Sequence, residues 1–200
     1  MRKLLNLYRS NSCILLIIVL LTGSSFLTSC VPNVYHHYSP DAEGGVVKKS
    51  MCGGQIGPKD MIEFSHNHVT ISVKASEIQE GIKLELNMSI PEDNEVRIHS
   101  SSIKVSIPSS KNSYEGNLNS MYTSWQPGDV IIGETREFKT KNGSEWTIDK
   151  KVRMNSVIIM PYFEMMILSL PEISVNNKQW DLPEITFKME TSLGMFPLNC

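Results

Sequence analysis

Ile82-Lys83-Leu84-Glu85-Leu86-Asn87-Met88-Ser89-Ile90 alternates apolar and polar side chains without a break. Successive side chains of an extended chain point to opposite faces, so this stretch reads as a strand with one face in a core and one in water. Pro91-Glu92-Asp93-Asn94 closes it as a turn. Upstream, Val69-Thr70-Ile71-Ser72-Val73-Lys74 follows the same rule. Met61-Ile62-Glu63-Phe64 precedes it across Ser65-His66-Asn67-His68, a plausible hairpin turn. Downstream, Val96-Arg97-Ile98 and Ile103-Lys104-Val105-Ser106-Ile107 continue with β-branched residues.

Farther on, turn chemistry punctuates the chain. Pro108 to about Gly128 is rich in Pro, Gly, Ser and Asn, and Asn142-Gly143 reads as a hairpin tip between Glu137-Phe138-Lys139 and Trp146-Thr147-Ile148. Leu170-Pro171-Glu172-Ile173-Ser174-Val175 recurs as Leu182-Pro183-Glu184-Ile185-Thr186-Phe187, with Asn176-Asn177-Lys178 turning the chain between the copies. Proline suits the start of a strand, where its missing amide donor costs little. From Phe163 to Leu170 only Glu164 and Ser169 are not apolar, which predicts an interior strand covered on both faces. No long stretch carries a 3.6-residue period. Short strands at regular spacing predict an all-β chain, an antiparallel β-sandwich of immunoglobulin-like type, with a small closed β-barrel as the alternative.

Ahead of this region lies a different kind of sequence. Met1-Arg2-Lys3 and Arg9 are basic, Ile14 to Leu21 is an unbroken apolar run, and Thr22-Gly23-Ser24-Ser25 ends it. The run is too short to span a bilayer comfortably, so the segment reads as a cleaved signal peptide over residues 1–29. Leu27-Thr28-Ser29-Cys30 then supplies an aliphatic residue, two small residues and a cysteine.

This ending resembles the lipobox of bacterial lipoproteins with type II signal peptides. The resemblance implies a diacylglyceryl thioether on Cys30, cleavage before it and acylation of the new amino terminus. Two or three acyl chains make a stable anchor, each buried CH₂ contributing about 0.8 kcal/mol. Val31 stands where an aspartate would signal retention at the inner membrane in enteric-type bacteria. The implied location is therefore the outer membrane, facing the periplasm. The Cys52-Gly53-Gly54 opening and Leu-Pro-Glu-Ile ending are also similar to those of small Gram-negative envelope lipoproteins, a likeness that brings no activity with it.

The expected organisation is a signal over 1–29, a lipidated cysteine and flexible tether over 30–50, and a β-sandwich domain over 51–200. Pro32, Pro40, Gly44 and Gly45 are the reason for the tether. Within it, Tyr35-His36-His37-Tyr38 reads as an aromatic segment lying on the membrane interface or the domain surface, with a metal site as the alternative. Three of the 19 basic residues (Arg2, Lys3, Arg9) and none of the 21 acidic ones precede Cys30, so the remainder carries 16 against 21. With no lysine cluster or basic stripe, nucleic acid is not an expected partner.

Cys13 leaves with the signal and Cys30 takes the lipid, which leaves Cys52 and Cys200. In an oxidising compartment these two allow one intramolecular connectivity, and a Cys52–Cys200 disulfide is expected. His66 and His68 stand at i and i+2, a spacing that puts both imidazoles on one face of a strand and could serve copper or zinc. The competing reading is a polar hairpin tip, with the ten methionines beyond Met1 as core filler.

No Gly-x-Ser-x-Gly elbow, zinc helix, phosphate loop or Cys-x-x-Cys is present, and Asp60 with Glu63 reads as a solvated pair. The expectation is a non-enzymatic binding or structural module without a cofactor. It would be held to membrane lipid through acylated Cys30 and would meet an envelope protein or cell-wall material. A metal-binding lipoprotein and an envelope enzyme with an unrecognised site are the alternatives.

Overall fold

The computed structural model describes residues 30–50, 57–91, 93–120, 126–129, 134, 135, 140–142, 145–147 and 149–197. Among these residues there are strands and no helix. In chain order they are β1 (Cys30–Asp41), β2 (Val46–Lys48), β3 (Met61–His66), β4 (Val69–Ile78), β5 (Gly81–Pro91) and β6 (Val96–Ile98). Next come β7 (Ser102–Ile107), β8 (Asn112–Asn117), β9 (Asn119–Ser120), β10 (Glu134–Thr135), β11 (Thr140–Asn142) and β12 (Glu145–Thr147). The last are β13 (Asp149–Ile159), β14 (Met165–Ser169), β15 (Ile173–Val175), β16 (Lys178–Trp180) and β17 (Ile185–Pro197).

A seven-stranded sheet runs β10-β13-β5-β4-β3-β2, with β9 also pairing to β13, and a five-stranded sheet runs β1-β17-β14-β7-β8. Strands β16-β15-β6 form a smaller sheet and β11-β12 a hairpin. Each sheet is open at both ends, so the closed-barrel alternative gives way to an antiparallel β-sandwich.

The nine-residue alternation around β5 sets the register. On the inner face Ile62, Val73, Leu86 and Met154 form one cross-strand row, and Phe64, Ile71, Met88 and Val152 form the next. All eight are buried, and full burial of each such side chain is worth about 1.5–3 kcal/mol. Slipping any of these strands by one residue would turn its whole apolar set to water. From the five-stranded sheet, Val105, Leu168, Ile185 and Phe187 join the same core. The two sheets meet closely where Gly116 of β8 lies over β13: a Cβ there would stand 2.5 Å from Ser156 Oγ and 2.7 Å from Ile158 Cγ1.

Two sequence expectations change. Residues 30–50, expected as a lipidated cysteine and flexible tether, carry β1 and β2. Prolines 32 and 40 fall on β1, the outermost described strand of its sheet, where only one side of the strand has a described neighbour. Strand β14 is interior, between β17 and β7, but only its Met166 and Leu168 face is buried; Ile167 is half-buried and Met165 exposed. Its continuous apolar run overstates its coverage.

The chain divides into two compact units. One is Tyr35–Ser192, the sandwich described above. The other comprises Met1–Val34 and Leu193–Cys200, of which the described parts are the first residues of β1 and the last of β17.

Candidate functional site

Strand lengths create the site. Strand β3 pairs with β4 as far as Met61 opposite Lys74, whereas β5 continues alongside β4 to Gly81 opposite Ile78. Residues 75–78 of β4 therefore have a ladder partner on the β5 side and none described on the other. In the second sheet, β1 is the outermost strand.

A cavity of about 570 Å³ lies against both edges. Its walls include three consecutive residues of β1, Tyr35-His36-His37, and six consecutive residues from Lys74 to Gln79. A sheet face would contribute every second residue; unbroken runs mean that the cavity follows strand edges. Pro58, Asp60 and Met189 complete the lining. A neighbouring cavity of about 460 Å³ shares Glu77, Ile78 and Gln79 and reaches Tyr38, Ile159 and Tyr162.

The polar groups of this region are fixed. Asp60 is 4 % exposed, and its carboxylate accepts hydrogen bonds from the Ser50 amide (3.1 Å) and the Ser50 hydroxyl (2.8 Å). Lys74 Nζ stands 2.7 Å from Asp60 Oδ2 and donates to Ser50 Oγ at 2.7 Å. His36 Nδ1 is 3.1 Å from the Thr191 hydroxyl. His37 is nearly enclosed; its Nε2 is 4.0 Å from a Glu190 oxygen, while its Nδ1 is buried with no hydrogen-bond partner among the described residues. Tyr38 donates its hydroxyl to the Phe163 carbonyl at 3.2 Å. Burial first, then the neighbouring Glu77 and Tyr162, push the Tyr38 phenol up to about 12, against the smaller opposing effect of that hydrogen bond.

The residues expected to bind metal are arranged differently. Asn67 and His68 have φ of 48° and 65° and form a two-residue turn between His66 and Val69, the twist a tight hairpin needs. The hairpin reading therefore holds, but the two imidazoles do not share a strand face. His66 ends β3, tilts against Trp180 at 5.3 Å between ring centroids, and has its Nε2 3.1 Å from Asn67 Nδ2. Among the described residues no three His, Cys, Asp or Glu side chains gather as a metal centre.

Cys30 is the first residue of β1. Cys52 and Cys200, expected to pair, lie outside the described residues, as does the signal over 1–29. Asp60 and Glu63 also part company: Asp60 is buried beside the cavity, and Glu63 pairs with Lys48 on the outer sheet face. The expected segment Tyr35-His36-His37-Tyr38 belongs to β1, with Tyr38 inside the core. No family model, curated protein or solved structure compared with the chain matches it.

Proposed function

We propose that this chain is a bacterial lipoprotein, acylated on Cys30 and held at the outer membrane facing the periplasm. There it serves as a non-catalytic binding module, taking an extended segment of an envelope protein as an added strand between β1 and β4. The anchor rests on Leu27-Thr28-Ser29-Cys30 directly after the apolar run. The binding reading rests on one observation: consecutive residues of β1, the outermost described strand of its sheet, and of β4, beyond its described pairing with β3, line a single cavity.

Strand addition uses groups that every peptide carries. Each main-chain hydrogen bond made to an open edge adds about 0.5–1.5 kcal/mol, and pockets for alternate side chains supply selectivity. Here Met189 offers an apolar contact, while the Asp60–Lys74 pair and Glu77 offer charged ones. The fixed Ser50–Asp60–Lys74 network holds the wall before a partner arrives, which lowers the ordering cost of binding.

A photo-reactive side chain placed at His36 or Ser76 in intact cells should crosslink to one protein, and the same group at Thr70 on the outer sheet face should not. Absence of adducts at both edge positions, or equal yields at all three, rules out the slot. The anchor is tested separately with Cys30→Ser. Processing and membrane association unchanged from wild type would remove it.

A further inference from the structure

The slot along β4 does not end with its first cavity. The neighbouring cavity of about 460 Å³ starts from the same Glu77, Ile78 and Gln79 and continues past the β4–β5 turn to the end of β13. Its lining is different in kind. Tyr38, Ile82 and Met160 contribute buried core side chains, while Ile159 is 73 % exposed and Tyr162 56 %. Single apolar side chains on a surface are ordinary. These two line a cavity that core side chains already wall, so an apolar group placed there would lose its water on several sides at once. Tyrosine is also among the residues that most often anchor protein contacts.

A carboxylate stands where the two cavities join. Glu77 lines both, it is exposed, and its charge reaches Tyr38 closely enough to help keep that phenol neutral. Glu80 adds a second carboxylate to the far cavity. Lys74, the cation of the first cavity, is engaged by Asp60. The charge complement of this junction is therefore a cation brought by the occupant.

We propose that the strand entering the slot is selected at this end, by a bulky apolar side chain seated against Ile159 and Tyr162 and a lysine or arginine lying beside Glu77. This selection rests on the strand-addition reading and narrows its partner from any extended segment to a basic–apolar one. Main-chain bonding by itself accepts almost any sequence, and the side-chain pockets are what discriminate. In an extended segment, residues two apart point the same way and lie about 7 Å from each other. One can reach the second cavity while the other stays at the junction.

The test uses the full chain in detergent micelles and short end-blocked peptides with phenylalanine two positions from lysine. Replacing that phenylalanine by serine should weaken binding by about tenfold or more, corresponding to about 1.4 kcal/mol or more. Ile159→Ser/Tyr162→Ser should produce a similar loss, and Val46→Ser, an equally exposed side chain on β2, should produce none. Glu77→Lys should weaken the lysine peptide and strengthen its glutamate counterpart, each only a few-fold because the pair is solvated. The inference is overturned if the phenylalanine and serine peptides bind alike, if Val46→Ser costs as much as the double variant, or if Glu77→Lys leaves the charge preference unchanged. It is also overturned if Ile159→Ser/Tyr162→Ser impairs binding only to phosphatidylglycerol vesicles, which would give the patch to lipid. Crosslinking from His36 and Ser76 separates this inference from the reading beneath it. Adducts at both positions without any peptide preference keep the slot and remove the selection, whereas no adducts remove both.

Discussion

Lys74 Nζ lies 2.7 Å from Asp60 Oδ2, joining the middle of β4 to the residue just before β3, and Ser50 bridges the two. The Asp60 side chain is 6 % exposed and that of Lys74 24 %. Removing the cation would leave a carboxylate with little access to water. Lys74→Ala should therefore cost about 2–3 kcal/mol, below the range for a fully buried pair because Lys74 is partly solvated. Urea denaturation measures this, and Asp60→Leu/Lys74→Met should regain at least half of the loss. If the single variant matches wild type, the pair does not support the cavity wall.

Tyr38 makes alkaline stability a readout of β1 docking. Its folded-state value is raised to about 12, so the neutral phenol is favoured by folding. The stabilisation is fully present below the unfolded value near 10 and falls away as pH rises from about 10 to 12, where the unfolded chain binds fewer protons than the native one. Tyr38→Phe should flatten that part of the stability–pH curve. At neutral pH it should cost about 1 kcal/mol for the lost bond to the Phe163 carbonyl.

Two glycines should differ in their response to alanine. A Cβ on Gly81 would run into the backbone carbonyl oxygen of Ile158, which cannot move without parting β5 from β13. Gly81→Ala should cost on the order of 3 kcal/mol or more. At Gly116 the obstacles are the Ser156 and Ile158 side chains, which can shift, and alanine there should cost about 1–2 kcal/mol. Thermal melts of the two variants give the ranking directly.

His68 sits at φ 65° in its turn, a conformation that costs a non-glycine residue about 1–2 kcal/mol. His68→Gly should raise stability by about 0.5–1 kcal/mol while keeping the β3–β4 register, because Gly relieves that strain. A loss of stability would mean that the imidazole has a partner which the turn conformation does not explain.

The strands were most legible where one face is buried and the other wet. Between Val69 and Ile90 the two-residue period alone identifies β4, β5 and which side chains meet the core. It does not reach β1, where Pro32 and Pro40 read as breakers although an edge strand has a side that needs no amide donor. At β14 the long apolar run gave no sign that Met165 faces water. The site was less visible still. Asp60 and Lys74 belong to different strand neighbourhoods, and no local pattern joins them. The cavity exists because β3 stops short of the end of β4, a difference in length that becomes meaningful only after the register is known. His66 and His68 mislead for the opposite reason: strand geometry puts an i, i+2 pair on one face, but the chain reverses between them.

Strand β1 begins at Cys30, and the compact sandwich takes over at Tyr35, five residues on. Even fully extended, that stretch measures at most about 18 Å. With Cys30 acylated and a partner strand seated beside β1 and β4, both as proposed, the slot would be on a short leash from the bilayer. Its clients would then be proteins resident at that surface.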